Sequence, residues 1–542
     1  MLTRFQEDFL EKRGIPAEER ERFVKAEVAE LREPGLLKGV LEAAALIEAA
    51  IAADKHIWIV GDFDADGVTS TALLLLALKQ LGAKNLNWYI NSRFELGYGF
   101  QVGTLEEMAL QGAIDLIITV DNGISALEAV REARARGIDV IVTDHHDLAA
   151  ELPDANVIIN PKQPDCLYPD KNLAGVGVAF KLVQQLFNGR KQPRQALMYL
   201  DLAAMGTVAD VMTLVGENRI IVKNGLTLMN WPQARAGIKA IKQVFKISGD
   251  IRAYHLGFMF GPALNAQGRI VGIPTMAIEL LTTRDAARAE KLAEELHAIN
   301  CERQELTKAQ VEQAMKYIGL TEKRFIVYYE AELHEGIVGL IAGRVKEKYG
   351  VPTLVLTTDK EAGLVKGSAR SVSGFDIKEN LIDGCADLLV RGGGHAMAAG
   401  VSLKEENIPA LEARLLELAQ QYPEEVFHPE PGVDFVMKEE EFSLQLVDEI
   451  EALAPFGTGF PSPLFKLEQF FVQKKMYMGK EKQHVKLVGE RGVELVAFGQ
   501  AQLYRTAGEP NYVGGIGHPV KNEWQGRSSL QFNIKGEHLI VL

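Results

Sequence analysis

From about residue 55 the chain alternates short β-rich runs with helix-length segments, and this alternation constrains the fold more than any other feature. "HIWIV" (56–60), "LNWYI" (86–90), "LIITV" (116–120), "DVIVT" (139–143) and "NVIIN" (156–160) read as strands. Between them lie segments such as "VTSTALLLLALKQLG" (68–82), which ends at Gly82, and "SALEAVREARARG" (125–137). Strands alternating with helices predict an open parallel sheet. This first unit is expected to span 51–270, with a helical second half around "VGVAFKLVQQLF" and "LMYLDLAAMGTVAD". Residues 1–50 are expected to form a helical segment ahead of it.

Residues 276 to 318 are charge-rich, helix-forming and free of proline and glycine. Leu292, Leu296, Ile299, Leu306, Met315 and Ile318 recur at spacings that make one apolar stripe. A long helical connector is therefore expected over 271–320. A second, smaller α/β unit is expected over 321–425, with strands in "RFIVYYE" (324–330), "TLVLTT" (353–358), "GLVKGSARS" (363–371) and "MAAGVSL" (397–403). The Pro- and Glu-rich "YPEEVFHPEPGVDF" (422–435) marks the next boundary. Beyond it, "FVQKKMYMG", "QHVKLVG", "VELVAFG" and "LQFNIKG" predict a β-rich, OB-like unit over 426–542. The fold class is thus two α/β units joined by a long helix, with a C-terminal β-rich unit.

Bulk properties narrow the class further. A chain of 542 residues exceeds one ordinary core, so several units are expected. Mean hydropathy is near zero, as in globular chains. The apolar run in "VTSTALLLLAL" is too short to span a bilayer, and "MLTRFQEDFLEKRGIP" lacks the apolar stretch of a secretory signal. Cys166, Cys301 and Cys385 show no CxxC spacing, which points to a reducing, cytoplasmic setting without membrane attachment. The net charge of −14 disfavours bulk polyanion binding, so a nucleic-acid role would need a local basic channel or metal ions.

The acidic residues fall where the expected strands end. "GDFDADG" places Asp62, Asp64 and Asp66 after the first strand; "VDNG" places Asp121 after the third; "TDHHD" places Asp144, His145 and His146 after the fourth. A calcium loop also reads D-x-D-x-D-G but needs a bidentate Glu at its twelfth position, where Leu73 stands. A dehalogenase-like phosphatase pattern fits "DADGV" but leaves Asp62 and the histidines unused. In an open parallel sheet the carboxyl ends of the strands share one edge, where ligands bind. Asp210 in "GTVADV" can add a carboxylate from a helix end. Singly, a post-strand Asp is more often a turn or cap residue. Jointly, these carboxylates and imidazoles suit Mn²⁺ or Mg²⁺, and a pair of ions ~3.5–4 Å apart can serve phosphoryl displacement.

The motifs "VGDFDADG", "TVDNG", "TDHHD" and "GTVADV", in this order and spacing, resemble the DHH phosphoesterase family. "RGGGHAMAAG" (391–400) resembles the glycine-rich motif of its DHHA1 domain. With the long connector and β-rich tail, the resemblance extends to the single-strand DNA exonuclease branch of that family. It implies 5′-to-3′ hydrolysis of single-stranded DNA with Mn²⁺ or Mg²⁺, as a pair of ions, releasing mononucleotides in repair and recombination. It implies metal ligands at Asp64, Asp66, Asp121, His145 and Asp210, with Asp62, Asp144 and His146 completing the catalytic site. Whether Asp62 is a ligand or orients one stays open. Implied partners are single-stranded DNA, single-strand-binding protein and a RecQ-type helicase.

Substrate contacts are expected from Ser368 and Arg370, which share one side of a strand, and from His395 behind Gly393 and Gly394. Arg93 and Arg269 resemble the family's arginines near the 5′ phosphate; ordinary ion pairs are the alternative. His334 either touches substrate or caps a helix. In the tail, Lys466, Lys474, Lys475, Lys480, Lys482, Lys486 and Arg491, with Phe470, Phe471, Tyr477 and Tyr504, are expected to capture and stack single strands. Rival readings are a DHH-family short-oligonucleotide RNase or nucleotide phosphatase, and a non-catalytic DNA-binding replication scaffold. The first generally ends after DHHA1, whereas here the chain continues well past Pro431; the second has lost ligands that are present here.

Overall fold

The computed structural model describes residues 1–360, 362–524 and 527–541. The first sheet comprises β1 (Ile57–Gly61), β2 (Leu86–Ile90), β3 (Leu116–Val120), β4 (Asp139–Thr143) and β5 (Val157–Ile159). Its order is β2-β1-β3-β4-β5, with every pairing parallel. Side chains alternate between two cores, because successive strand residues point to opposite faces. Ile57, Ile59, Ile118 and Ile141 enter the large core against helices Ala65–Gln80, Gly175–Gly189 and Leu200–Ala209. Trp58, Val60, Ile117 and Val142 enter a smaller core with Leu105, Met108 and Val130. With both faces covered, the strand ends are left as the accessible edge.

Two local expectations change. The helix expected from residue 68 begins at Ala65, inside the acidic motif, because the Asp64 carboxylate caps it. The connector is not one helix but two, Thr275–Thr282 and Ala286–Ile318. Asp285 breaks the run by accepting from the Ala287 and Arg288 amides, a local bond that competes with a continuing helix. The longer helix bridges two cores. Ala289, Leu292, Ala293 and Leu296 join the first, while Ala314, flanked by Leu306, Val311 and Ile318, joins the second.

The second sheet contains β6 (Ile326–Tyr329), β7 (Thr353–Asp359), β8 (Leu364–Arg370), β9 (Leu389–His395) and β10 (Ala398–Leu403). Its order is β6-β7-β8-β10-β9, parallel only between β6 and β7. The glycine-rich motif is thus the edge strand β9 and its hairpin partner.

The third sheet contains β11 (Phe435–Met437), β12 (Phe465–Phe471), β13 (Lys474–Met478), β14 (His484–Val488), β15 (Glu494–Ala497), β16 (Tyr512–Trp524) and β17 (Arg527–Val541). They are ordered β11-β12-β16-β17-β15-β14-β13. The long β16 escapes sequence reading because Gly514, Gly515, Gly517 and Pro519 interrupt it. The glycines are needed by close packing: a Cβ on Gly517 would lie 2.1 Å from the Asn533 carbonyl oxygen, and one on Gly515 2.2 Å from Ile534 Cδ1. Phe470 and Tyr504 are buried in this unit's core, so they are not stacking surfaces as expected. Tyr477 donates to Glu509 and lies under the Arg505 guanidinium, while Lys475 pairs with Glu509 and Lys486 with Glu494.

The first fifty residues divide between units. Helix Arg4–Lys12 packs Phe5, Phe9 and Leu10 among Phe435, Leu453 and Phe460, and Arg13 pairs with Asp434. Helix Val40–Ala52 instead puts Val40, Ala43 and Ile47 into the first core. Arg219 is buried between them and donates to the carbonyls of Phe23, Leu453 and Pro455.

Candidate active site

The site grows from the ends of β1, β3 and β4. Beyond β1, the Asp64 carboxylate accepts from the Asp66 and Gly67 amides at 2.9 and 3.1 Å, fixing the first helical turn. Gly67 is obligatory, since a Cβ there would lie 2.5 Å from the Asp62 carbonyl oxygen. Asp66 points inward, where both its oxygens accept amides at the start of helix Gly175–Gly189: Gly175 at 2.7 Å and Val176 at 2.8 Å. One carboxylate therefore sits in the first turn of its own helix and at the positive end of another.

Beyond β3, Asp121 adopts φ +61°; Val211, which follows Asp210, has φ +59°. Left-handed backbone at non-glycine residues costs ~1–3 kcal/mol and persists only where surroundings enforce it. Beyond β4, Asp144 is fully engaged. Its Oδ2 accepts from the Ile124 amide at 2.9 Å; its Oδ1 accepts from the His145 and His146 amides and lies 2.7 Å from His146 Nδ1. Asp144 thus ties the β3 and β4 ends together and orients His146. His145 turns the other way: its Nε2 lies 3.1 Å from Asp121 Oδ1, 3.6 Å from Asp210 Oδ2 and 3.9 Å from Asp66 Oδ2.

The electrostatics of this cluster call for a cation. Burial, reinforced by Asp64, raises the Asp66 carboxyl to about 7. Burial, then Asp66 and Asp64, raises Asp210 to about 9. Asp62 and Asp121 are also raised, by burial first and by neighbouring aspartates second. Burial opposes charge on His146, but its bond to Asp144 pushes it up to about 9. Burial and the charge of His146 drive His145 down to about 3, so its imidazole is neutral and available as a ligand. Asp144 is desolvated, yet the His146 contacts and the Ile124 amide hold it below the usual carboxylate range.

Buried oxygens of Asp62 and Asp121 have no hydrogen-bond partner, although Asp121 Oδ1 lies close to His145. Among the described residues, ligand atoms gather within 4.8 Å of one another in three sets: Asp121–His145–His146, Asp66–His145–Asp210 and Asp62–Asp64–Asp121. Repelling carboxylates with unpartnered oxygens beside a neutral imidazole fit Mn²⁺ or Mg²⁺. Small residues keep the cradle open. A Cβ on Gly175 would lie 2.5 Å from Asp121 Oδ1, and one on Gly206 2.7 Å from Asp66 Oδ1.

Beside the carboxylates, the first unit (Arg93, Arg269), the bridging helix (Arg303) and the second unit (Lys366, Arg370) together supply positive charge. Arg93, Lys366 and Ser368 line a cleft of about 240 Å³ with Phe94, Glu335 and Gly400. The Arg93 guanidinium lies over the Phe63 ring at 4.7 Å. Arg370 donates to Ser368 Oγ at 2.7 Å, and half-buried Arg269 donates to the Gly336 carbonyl at 3.2 Å. Burial, then the charges of Arg93, Arg303 and Arg370, lowers Arg269 to about 9. Such crowding of guanidiniums suits an anion.

His395 reaches the rim of the site from β9, its Nδ1 lying 3.3 Å from Asp147 Oδ2 beside the β4 end. Gly393 faces open space, whereas Gly394 is required by the chain itself, because a Cβ would lie 2.4 Å from the Ala398 carbonyl oxygen. His334 accepts from the Gly336 amide and so caps its turn.

Sequence reasoning misses several contributors. Tyr98 Oη donates to the Asp121 carbonyl at 3.2 Å and lies 3.3 Å from both His146 ring nitrogens. Arg303 is one charge among many on a long helix, and Phe63 and Gly175 look like ordinary loop and helix residues. Gly206 was visible inside "GTVADV", but its contact with Asp66 was not.

A parallel sheet carrying carboxylates and a DHH sequence on its edge defines the class, and comparison with known proteins agrees. The model of the DHH family, N-terminal domain, matches residues 56–207, that of the DHHA1 domain 322–421, and that of the RecJ OB domain 433–536. The chain is 38% identical over 546 aligned positions to the single-stranded-DNA-specific exonuclease RecJ of Bacillus subtilis, covering 98% of this chain and 68% of that protein. It is 35% identical to the protein of the same name from Thermus thermophilus, over 91% of this chain and 70% of that one. The crystal structure of RecJ in complex with Mn²⁺ from Thermus thermophilus superposes with a TM-score of 0.83 at 32% identity, over 97% of this chain and 74% of that one. The Mg²⁺ complex gives 0.79 at 30% identity, over 100% and 75%. The chain belongs to the RecJ family of DHH proteins.

Proposed function

We propose that the protein is a metal-dependent exonuclease that degrades single-stranded DNA from its 5′ end and releases mononucleotides, in DNA repair and recombination. One observation carries this reading: a buried carboxylate–histidine cluster lies beside a half-buried guanidinium cluster in one cleft. Asp64, Asp66, Asp121, His145 and Asp210 are the residues that hold Mn²⁺ or Mg²⁺, in two sites. Bound there, the ions supply an activated water and offset charge on the leaving oxygen.

The chain's own groups do the rest. Asp66 is locked by two amides, so its oxygens need no rearrangement when charge develops. Asp144 holds His146 by Nδ1, which leaves Nε2 to donate to a phosphate oxygen. Asp62, buried beside Asp64, orients the metal side of the site. Arg93, Arg269, Ser368 and Arg370 bind the terminal phosphate and so set the polarity of attack. Gly393, Gly394 and His395 line the approach of the next phosphate.

The division of labour follows the chain: catalysis in 51–270, the connector in 271–320, a second set of phosphate contacts in 321–425 that joins Arg93 and Arg269 of the first unit, and strand capture in 426–542, with 1–50 helical. Single-stranded DNA is the substrate; single-strand-binding protein and a RecQ-type helicase are the partners, to be tested by co-purification. A cytoplasmic setting accords with the free cysteines Cys166, Cys301 and Cys385. Among the described residues, no helix is long and apolar enough to cross a membrane.

Incubation with Mn²⁺ and strands labelled at either end tests the central reading. Mononucleotide release from the 5′ end of single strands is expected; release from the 3′ end, or equal attack on blunt duplexes, would overturn it.

A further inference from the structure

The cleft that holds Arg93 and Ser368 continues past them to an acidic end. In β8, Val365 and Ala369 enter the second core, so Lys366, Ser368 and Arg370 share the opposite face. Successive members of this row stand ~6.5 Å apart along the strand. The row leads away from the metal cluster: Asp64 acts on Arg93 and Arg269, Arg93 acts on Arg370, and Lys366 lies two residues beyond Ser368. At the far end the Lys366 ammonium pairs with Glu335 and, at 3.2 Å, with Asp359. All three side chains are half-buried, and Lys366, Glu335 and Ser368 line the same cleft of about 240 Å³.

Glu335 is held in place by the residues around it. It opens the turn Glu335–Ile337, which His334 caps by accepting from the Gly336 amide at 3.1 Å. Arg269 donates to the Gly336 carbonyl, and a Cβ on Gly336 would collide with the Arg269 carbonyl oxygen. The arginine assigned to the terminal phosphate thus also fixes the turn that carries Glu335. A Cβ on Gly339 would lie 2.8 Å from Arg370 Nη2 and 3.1 Å from Ser368 Oγ, so the start of helix Val338–Tyr349 packs directly on the row. The charges differ sharply between the two ends. Guanidiniums crowd the phosphate seat, whereas beyond it one ammonium meets two carboxylates and leaves a net negative charge.

Resting on the terminal-phosphate reading above, we propose that Glu335, Asp359 and Lys366 form a backstop that admits a 5′-monophosphate and rejects a 5′-triphosphate. The two added phosphoryl groups of a triphosphate point away from the nucleotide, past Ser368 and into this backstop. There the only ammonium of the trio is already engaged by Glu335 and Asp359, and like charges in a half-buried cleft repel. The protein thereby degrades ends left by hydrolytic cleavage and spares ends that keep the triphosphate of strand initiation.

The test compares kcat/KM with Mn²⁺ for single strands of one sequence that carry a 5′-hydroxyl, a 5′-monophosphate or a 5′-triphosphate. The parent protein is expected to prefer the monophosphate over the triphosphate by about tenfold or more, as for a juxtaposition of like charges. Glu335→Gln combined with Asp359→Asn should narrow this preference, because Lys366 then meets the added phosphates. Lys366→Met, which leaves the two carboxylates unopposed, should widen it. Opposite shifts in the two variants cannot come from general damage to the fold. Equal rates on monophosphate and triphosphate ends by the parent protein, or a preference that neither variant shifts, overturns the backstop. A hydroxyl end cut as fast as the monophosphate end overturns the terminal-phosphate reading instead. Absence of mononucleotide release from every strand overturns the exonuclease reading, so the three failures are distinguishable.

Discussion

The two walls of the cleft carry opposite charge and are built by different means. The carboxylate wall is made locally, from strand ends and helix starts, and backbone amides lock Asp64, Asp66 and Asp144 in place. The guanidinium wall is made at a distance: Arg93 follows β2, Arg269 lies near the end of a helix, Arg303 on the bridging helix and Arg370 on β8. Each wall repels itself, and each is relieved by a different ligand, cations on one side and a phosphate on the other. A cleft of this kind is electrostatically incomplete until both are bound, which couples metal occupancy to substrate chemistry.

Substitution should affect the walls unequally. The largest loss is expected on the carboxylate side, where Asp121→Ala removes a member of two ligand sets; kcat should fall by roughly a thousandfold or more. The same variant should melt no lower than the parent protein in chelator, because one repelling charge is gone; a lower Tm would break the picture of a frustrated wall. Next, Gly175→Ala should weaken Mn²⁺ binding, read by calorimetry, by about 10–100-fold, since the new methyl pushes on Asp121. On the opposite wall, Arg370→Lys should raise KM for 5′-phosphorylated strands about tenfold with little change in Mn²⁺ affinity, the size of one charge-assisted hydrogen bond. An equal loss of metal binding there would mean that the walls are not separable.

The smallest effect concerns pH. Asp66 and Asp210 titrate in the folded protein at about 7 and about 9, above the ordinary 3.8. Raised acids contribute stability while they stay protonated, and this contribution is lost as pH rises through the folded values. Metal-free protein should therefore lose several degrees of Tm between neutral pH and pH 9, a slope of the size ~1 kcal/mol produces. Mn²⁺ should flatten that slope; a slope unaffected by metal would place its origin elsewhere.

Much of the carboxylate wall was legible in the sequence, because it depends on short-range rules. Strand runs ending in Asp62, Asp121 and Asp144 already imply a shared edge once the sheet is parallel. What stayed hidden has an identifiable cause in each case. The helix start at Ala65 depends on the Asp64 carboxylate turning back to its own chain rather than only toward a ligand. Strand β16 hides behind glycines that make sense only against β17. Phe470 and Tyr504 looked like stacking residues because burial cannot be read from a short aromatic-rich run. Helix Arg4–Lys12 gives no sign that it packs on the other end of the chain.

The sequence by itself determined the order of strands and helices, the acidic motifs and their place at strand ends, since periodicity and residue type report local backbone preference. Tertiary structure alone decided that Gly175 and Gly206 leave room for Asp121 and Asp66, and that four distant arginines crowd one pocket. It also decided that Arg219 ties the chain's beginning to its third unit. These are contacts between residues far apart in the chain. Their energies depend on distance and desolvation in the folded protein, quantities that no local pattern encodes.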